Sequence, residues 1–366
     1  MIIGLFTELC TPGGIQLISK HVGCVLARHA NKINDQYIFF SLNDSLGKST
    51  FSVSGVQYEF KGFGKNKIKF LLSILKRASS KNLIFIGHPS LTPIALFLKM
   101  LKPEIKYLVY SYGIDVWKPL SLLHRYSLKK AEINLSLSSF TSNALINIQK
   151  VNPSTIKLLP PALDPVFFNK GNLIPGNSLG VPDGFILLTV ARLQLSEGYK
   201  GVDTVIRAVS QLYKQFPNLY YVIVGDGDAK KQYEQLAMDL EVSKNVLFVG
   251  SKEGIQLLSY FNCCNLFVMP SSSEGFGIVF LEAMAFAKPV IGGNHGGTPD
   301  LIKDGENGFL IKHNDLSSLV KIISRFIRDD KLGEQMGKLG VDMVRKKYTL
   351  EKFQANLLDI LEKLKI

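Results

Sequence analysis

Two glutamates eight positions apart carry the strongest chemical signal in this sequence. Glu274 stands in a polar loop, Ser271-Ser272-Ser273-Glu274-Gly275-Phe276-Gly277, that follows an apolar run at 266–269 broken by Pro270. Glu282 stands inside the next stretch, 278–287, reading Ile-Val-Phe-Leu-Glu-Ala-Met-Ala-Phe-Ala, where it is the sole polar side chain. A helix that is apolar all round is buried, and an unpaired buried carboxylate costs at least several kcal/mol. Glu282 therefore needs a polar cavity to face or a fixed partner, with backbone donors or one buried lysine as the plainer choices.

Other residues suggest anion chemistry. Arg192 follows an apolar run at 185–190, and Lys200 precedes Gly201. A planar guanidinium fork and a mobile ammonium at strand ends suit clustered phosphate oxygens; read plainly, they are surface cations. Gly13-Gly14 would let backbone N–H groups approach a phosphate at a helix start, or would simply form a turn. Asp226 and Asp228 have the spacing of a metal-chelating pair, yet Gly225-Asp226-Gly227 also spells a tight turn after a strand at 220–224. No G-x-G-x-x-G follows the first strand, which counts against a dinucleotide-binding domain, and no Ser/His/Asp arrangement competes. Cys10, Cys24, Cys263 and Cys264 lack metal-ligand spacing and read as reduced thiols.

These residues need a scaffold. Pro289 closes the helix that holds Glu282, and Val290-Ile291 reads as the next strand, so 266–291 is a βαβ unit with its ligand expected at the carboxyl ends of the strands. Further strands are expected at 1–7, 37–42, 56–60, 83–87, 107–111 and 246–249, and helices at 15–29, 202–216 and 351–365. The chain of 366 residues suits two α/β domains. They are expected at 1–165 and 185–345, joined by a Pro-, Gly- and Asn-rich linker at 166–184 and followed by a last helix within 346–366 that crosses back onto the first domain. Met1–Phe6 reads as a strand rather than a leader, and the apolar window 83–100 is broken by His88, Pro89, Pro93 and Lys99, so no membrane span is expected.

Charge is uneven. Of 43 basic and 30 acidic residues, 1–165 hold 20 and 8, so nearly all of the net +13 lies there. From Lys61 to Lys81 there are seven cations and no acid, with Ile68, Leu71, Leu72 and Leu75 at helical intervals. Such a basic amphipathic helix suits an anionic membrane surface; the alternative is the solvated face of a core helix.

The stretch 274–285, E-G-F-G-I-V-x-L-E-A-M-A, resembles the E-x7-E signature of the retaining GT-B glycosyltransferases of family GT4, the group of sucrose, mannosyl and lipopolysaccharide-core transferases. The likeness continues through A-x-A-K-P-V-I and G-G-x-x-D-L-I-x-D-G-x-N-G-F-L up to Leu310. Ala287 stands where the family usually has Gly, a change expected to cost only local packing freedom. Ser111-Tyr112-Gly113-Ile114-Asp115-Val116-Trp117 resembles the family's H-G-x-D-x-W loop with Tyr112 in place of His, and His88 is a candidate substitute. Arg192 and Lys200-Gly201 match the R…K-G pair, and Gly225-Asp226-Gly227 the G-D-G turn.

The resemblance implies two Rossmann-like α/β domains facing each other across a cleft, and transfer of a hexose from a UDP-, GDP- or ADP-sugar with retention. It gives Glu282 the ribose hydroxyls and Glu274 the sugar ring. Arg192, Lys200 and the segment Gly275, Phe276, Gly277, Ile278 and Val279 would hold the diphosphate, with Gly13 and Gly14 beside it. Gly225, Gly250 and Ser251 would border the nucleotide, and Tyr112 and Asp115 the donor sugar or acceptor. It implies no metal, no separate base and no nucleic-acid partner. The expected acceptor is a glycan or lipid-linked glycan of cell-surface polysaccharide or lipopolysaccharide biosynthesis. The expected place is the cytoplasm, peripherally on the inner membrane face. A nucleotide-sugar 2-epimerase and a non-catalytic sugar-nucleotide-binding partner are the alternatives.

Overall fold

Residues that read as continuous apolar runs form the inner strands of two parallel sheets. The computed structural model describes residues 1–364 apart from Ser54 and Lys170. Lys365, where the last helix was expected to end, and Lys170 of the expected linker thus lie outside the described residues. The chain divides into two units, Met1–Ala162 with Leu350–Ile366, and Leu163–Thr349.

The first unit holds β1 (Ile2–Phe6), β2 (Tyr37–Ser41), β3 (Gly47–Val53), β4 (Val56–Gly62), β5 (Leu83–Ile86), β6 (Lys106–Ser111), β7 (Ile133–Ser136) and β8 (Ile156–Leu158). Their order is β3-β4-β2-β1-β5-β6-β7-β8. Every pair is parallel except β3 with β4, a hairpin that adds an edge strand. β3 had no counterpart among the expected strands: Gly-Lys-Ser-Thr-Phe-Ser-Val is mostly polar, as an exposed edge allows.

Side chains alternate across a strand, so Ile3 and Leu5 face one way and Phe6 the other. On the first face, α2 (Lys67–Arg77), α3 (Thr92–Leu101), α4 (Leu122–Lys129) and α5 (Ser139–Asn147) share one core with Ile3 and Leu5, supplying Phe70, Ile74, Ala95, Leu98, Leu128 and Leu145. Asn66 caps α2 by accepting from the Lys69 N–H at 3.0 Å. The opposite face carries α1 (Gly14–Lys32), whose Lys20 carbonyl accepts from Tyr58 Oη at 3.0 Å. The basic helix is shorter than the run that announced it, since Lys61 lies in β4.

The second unit holds β9 (Phe185–Val190), β10 (Leu219–Val224), β11 (Val246–Gly250), β12 (Leu266–Met269), β13 (Val290–Gly293) and β14 (Gly308–Ile311). All are parallel in the order β11-β10-β9-β12-β13-β14. Its helices are α6 (Val202–Leu212), α7 (Lys230–Asp239), α8 (Gly254–Cys263), α9 (Ile278–Ala285), α10 (Thr298–Leu301), α11 (Leu316–Arg328) and α12 (Asp330–Lys347). Strand order reverses between β9 and β12, and open α/β sheets bind ligands at the carboxyl ends of such a pair. In the first sheet the corresponding reversal lies between β1 and β5.

Two expectations change. The segment expected as a linker, 166–184, belongs to the second unit: Phe167 is buried against Phe261 and Phe286, and Ser259 Oγ accepts from the Ile174 N–H at 2.9 Å. Its turn-forming composition hides that aromatic anchor. The last helix, α13 (Leu350–Lys363), belongs to the first unit, the return that was expected of it, and packs on α1, with Arg28 Nη1 donating to Gln354 Oε1 at 2.7 Å. The second change is at Ala287. The helix ends at Ala285, two residues early, because the Ala287 N–H turns back to Met284 O and the Lys288 N–H to Ala283 O, at 2.9 and 3.1 Å. This is the Schellman arrangement, whose penultimate residue must be left-handed. Ala287 has φ 56°, so its cost is backbone strain rather than packing freedom.

All four cysteines are free; Cys264 is buried and Cys263 half-buried. Among the described residues, no helix is long and apolar enough to cross a membrane.

Candidate functional site

The loops that leave β9 and β12 are stitched together. After β9 the chain runs through Arg192 into short 3-10 turns at 195–200, reaching Gly201 before α6. After β12 it runs through Pro270 to Glu274 and into α9. The Ser272 N–H donates to Tyr199 O at 2.9 Å. Gly201, at φ 76°, lies so close to Pro270 that a side chain would collide.

This join brings Lys200 Nζ to 3.0 Å from Glu274 Oε1, with the two side chains 15% and 14% exposed. Burial works against the ammonium, but attraction to Glu274 and the hydrogen bond Lys200 donates to it outweigh that, and the Lys200 pKa sits above its usual value. Lys200 is therefore a fixed cation.

Arg192 is held differently. Its guanidinium pairs with Glu197, whose side chain is 9% exposed while that of Arg192 is 70% exposed. One oxygen of Glu197, Oε2, is buried without a hydrogen-bond partner among the described residues. Sequence reasoning passed over Glu197; the available signal was a lone acid between the two matched cations in Leu195-Ser196-Glu197-Gly198-Tyr199-Lys200. The Tyr199 phenol, whose pKa is raised chiefly by burial, feels Lys200, Glu197, Glu274 and Arg192 together. Two cations and two carboxylates thus surround one ring at the switch point. Arg192 also keeps N–H groups open to solvent.

α9 starts at the same place. Gly277 precedes it at φ 90°, and no side chain caps it. The first N–H groups of a helix, here at Ile278 and Val279, lack intrahelical partners and point outward with the positive end of the helix dipole. Gly297 braces this start, donating its N–H to Glu274 O at 2.8 Å and lying against the backbone of Gly275 and Phe276.

Glu282 lies further along α9. Its side chain is partly accessible and makes no hydrogen bond or ion pair among the described residues. Burial, with the charge of Asp164 a smaller cause, pushes its carboxyl up to about 8. Among the described residues, neither the buried lysine nor the backbone donors considered for it are present. It is a polar group held in reserve inside an apolar helix.

Gly225, Gly250 and Ser251 sit at the carboxyl ends of β10 and β11, beside the loop of Arg192. The Gly225 N–H donates to Gly250 O at 3.0 Å, and Gly225 lies against Ala191 O with no room for a side chain. Ser251 is exposed. Asp226 Oδ1 accepts from the Gly227 N–H at 2.8 Å and Asp228 Oδ1 from the Leu195 N–H at 2.7 Å. Both acids brace turns, and no group of three or more potential metal ligands occurs among the described residues.

Gly13, Gly14, Tyr112 and Asp115 lie in the first unit. Gly13 precedes α1, which has no side-chain cap, and both glycines are exposed. Tyr112 is only 4% exposed, and its hydroxyl lies 3.3 Å from Ser19 Oγ. Asp115 accepts from the Tyr112 N–H at 3.1 Å and from the Gly113 N–H, which closes the loop. His88, after β5, accepts at Nδ1 from the Ser90 N–H at 3.1 Å and lies over Tyr112 with ring centroids 6.4 Å apart. Burial lowers the His88 pKa and raises that of Asp115, each opposed by the other's charge.

Residues 177–342 match the family model described as "Glycosyl transferases group 1". An uncharacterized glycosyltransferase of Haemophilus influenzae is 25% identical over 354 residues, covering 91% of this chain and 92% of that one. A D-inositol 3-phosphate glycosyltransferase of Stackebrandtia nassauensis is 30% identical over 203 residues, covering 52% of this chain and 45% of that one. The crystal structure of Anabaena Alr3699/HepE in complex with UDP superposes with a TM-score of 0.80 over 99% of both chains at 18% identity.

Proposed function

We propose that this GT-B glycosyltransferase, whose residues 177–342 form a group 1 glycosyl transferase domain, moves a hexose from a nucleoside diphosphate sugar to a glycan or lipid-linked glycan and retains the anomeric configuration. The observation that carries the proposal is the convergence of Arg192, Lys200, Glu274 and the uncapped start of α9 at the carboxyl ends of β9 and β12. The UDP of the similar Anabaena structure supports a nucleoside diphosphate at such a site.

The residues divide the work. Arg192, Lys200 and the Ile278 and Val279 N–H groups receive the diphosphate oxygens. Charge on those oxygens grows as the bond from the anomeric carbon to the leaving phosphate breaks, and donors already in place stabilise it without reorganising. Glu274 holds Lys200 and takes sugar hydroxyls through its remaining oxygen. Glu282 takes the ribose hydroxyls; near neutral pH its carboxyl can both donate and accept. The acceptor oxygen bonds to the anomeric carbon on the face that the phosphate leaves, and its proton passes to the departing phosphate oxygen. No protein base is needed, and no metal either, because the cations are residues. Gly225, Gly250 and Ser251 border the nucleotide, and the first unit meets the acceptor at the inner face of the membrane.

Thermal unfolding with UDP, GDP and ADP in the presence of a chelator tests this. One of them at about a hundred times its dissociation constant should add about 2.7 kcal/mol, roughly 5–10 °C for a domain of this size. No response to any nucleotide would refute the site. So would a response that requires manganese and vanishes in Asp226→Asn.

A further inference from the structure

The first unit keeps an unusual amount of apolar surface on the helices that cover one face of its sheet. α2, α3 and α4 bury their inner sides in a single core. Their outer sides are not the polar surfaces such helices normally present. On α4, Leu122 is 81% exposed, Leu123 54% and Tyr126 51%. On α3, Met100 is 72% exposed and Leu101 58%; on α2, Ile68 is 73% exposed and Leu72 51%. Leu122 and Tyr126 are four apart, as are Phe97 and Leu101, and Ile68 and Leu72, so each helix shows a stripe rather than scattered residues.

The helices are joined as one layer. Lys99 of α3 reaches the Lys130 carbonyl at the end of α4 at 3.4 Å, and Lys102 reaches the Ala78 carbonyl at the end of α2 at 2.5 Å.

The charge around these stripes has one sign. From Lys65 to Lys130 there are 13 basic residues and two acids, Glu104 and Asp115. Asp115 is spent on its own loop. Lys67, Lys69, Lys118 and Lys129 are exposed, and their side chains make no ion pair or hydrogen bond among the described residues. A polyanion such as RNA would satisfy the lysines but leave the leucines in water. An anionic bilayer satisfies both, with head groups for the lysines and the acyl boundary for the aliphatic side chains.

We propose that the outer surface of α2, α3 and α4 docks the protein on an anionic lipid bilayer, with Leu122, Leu123 and Met100 entering the acyl boundary. This extends the membrane contact of the proposed function from the basic run to a three-helix surface, and rests on that reading only for the acceptor's location.

The test is sedimentation of the full chain with vesicles of phosphatidylcholine alone and with about a third phosphatidylglycerol. Wild type should bind the anionic vesicles and not the neutral ones, with affinity falling steeply as salt rises. The combined variant Lys67→Gln, Lys69→Gln, Lys118→Gln and Lys129→Gln should lose about fivefold per lysine, several hundredfold in all at low salt. Leu122→Ser, Leu123→Ser and Met100→Ser together should lose at least about tenfold, and the binding left should be abolished by salt. These positions are exposed, so both variants should keep the nucleotide-induced thermal shift of wild type. That shift reports the donor site separately from the vesicle result. Equal binding to neutral and anionic vesicles, no binding to either, or wild-type binding by both variants would overturn the proposal. It would also be overturned if a single-stranded oligonucleotide displaced the vesicles and bound the serine variant as tightly as wild type.

Discussion

Ala287→Gly should make the protein more stable. Ala287 is the left-handed residue of the turn that ends α9, with φ 56° and both back-turning hydrogen bonds formed. The left-handed region costs a residue with a Cβ about 1–2 kcal/mol. Glycine removes that strain but returns about 0.4–1 kcal/mol by loosening the unfolded chain. Ala287 is exposed, so deleting its methyl forfeits little burial. The balance is about 0.5–1 kcal/mol in favour of glycine, and at about 2–4 °C per kcal/mol the second unit should melt roughly 1–4 °C higher. Calorimetry on the wild type and on Ala287→Gly and Ala287→Val measures it. Valine keeps the strain and adds β-branching, so it should melt below wild type. The turn lies at the opposite end of α9 from the proposed diphosphate site, so nucleotide affinity should be unchanged in the glycine variant. A glycine variant that melts at or below wild type would refute the reasoning, because the left-handed turn would then carry no strain to relieve.

Other perturbations address the site. Glu282 has a carboxyl raised from its ordinary 4.5 to about 8, so the folded state keeps a proton that the unfolded state releases, and wild-type stability falls as pH rises across that window. Denaturant titrations of Glu282→Gln and wild type should therefore coincide near the low end and diverge as pH approaches the upper value; parallel curves would contradict it. Glu282→Ala should raise the donor KM with little change in kcat, whereas Glu274→Ala should lower kcat more than it raises KM, because only the latter side chain orients the reacting sugar. Full activity in the double variant, followed as nucleotide release, would remove both from the site. Glu197→Ala should free the Arg192 side chain and raise the donor KM roughly threefold to tenfold, the cost of ordering one long side chain on binding. Unchanged kinetics would make that pair ornamental.

Much was determined by the sequence alone, wherever the information is local. Short continuous apolar runs such as Leu-Ile-Phe-Ile at 83–86 read as strands buried on both faces, and they became inner strands of the first sheet. The Glu274-to-Glu282 pattern, with glycines before it and Lys288-Pro289 after it, placed both acids on a loop and helix of a βαβ unit, as found. Departures from expectation arose where a contact spans distant positions. β3 is mostly polar and is a strand only because β4 pairs with it. The turn-rich 166–184 is tied down by Phe167 against rings about a hundred positions away. Glu197 becomes part of the site by pairing with Arg192, and Lys200 meets a glutamate 74 positions on only because β9 and β12 are neighbours in the sheet. Glu282 shows both halves. Its apolar neighbours announced a buried carboxylate, but whether a lysine or a backbone donor would meet it depended on packing from every side, and among the described residues none does. Helical and strand periods are written into adjacent residues, whereas charge pairing and desolvation depend on which loops the sheet order brings together, and only the folded chain decides that.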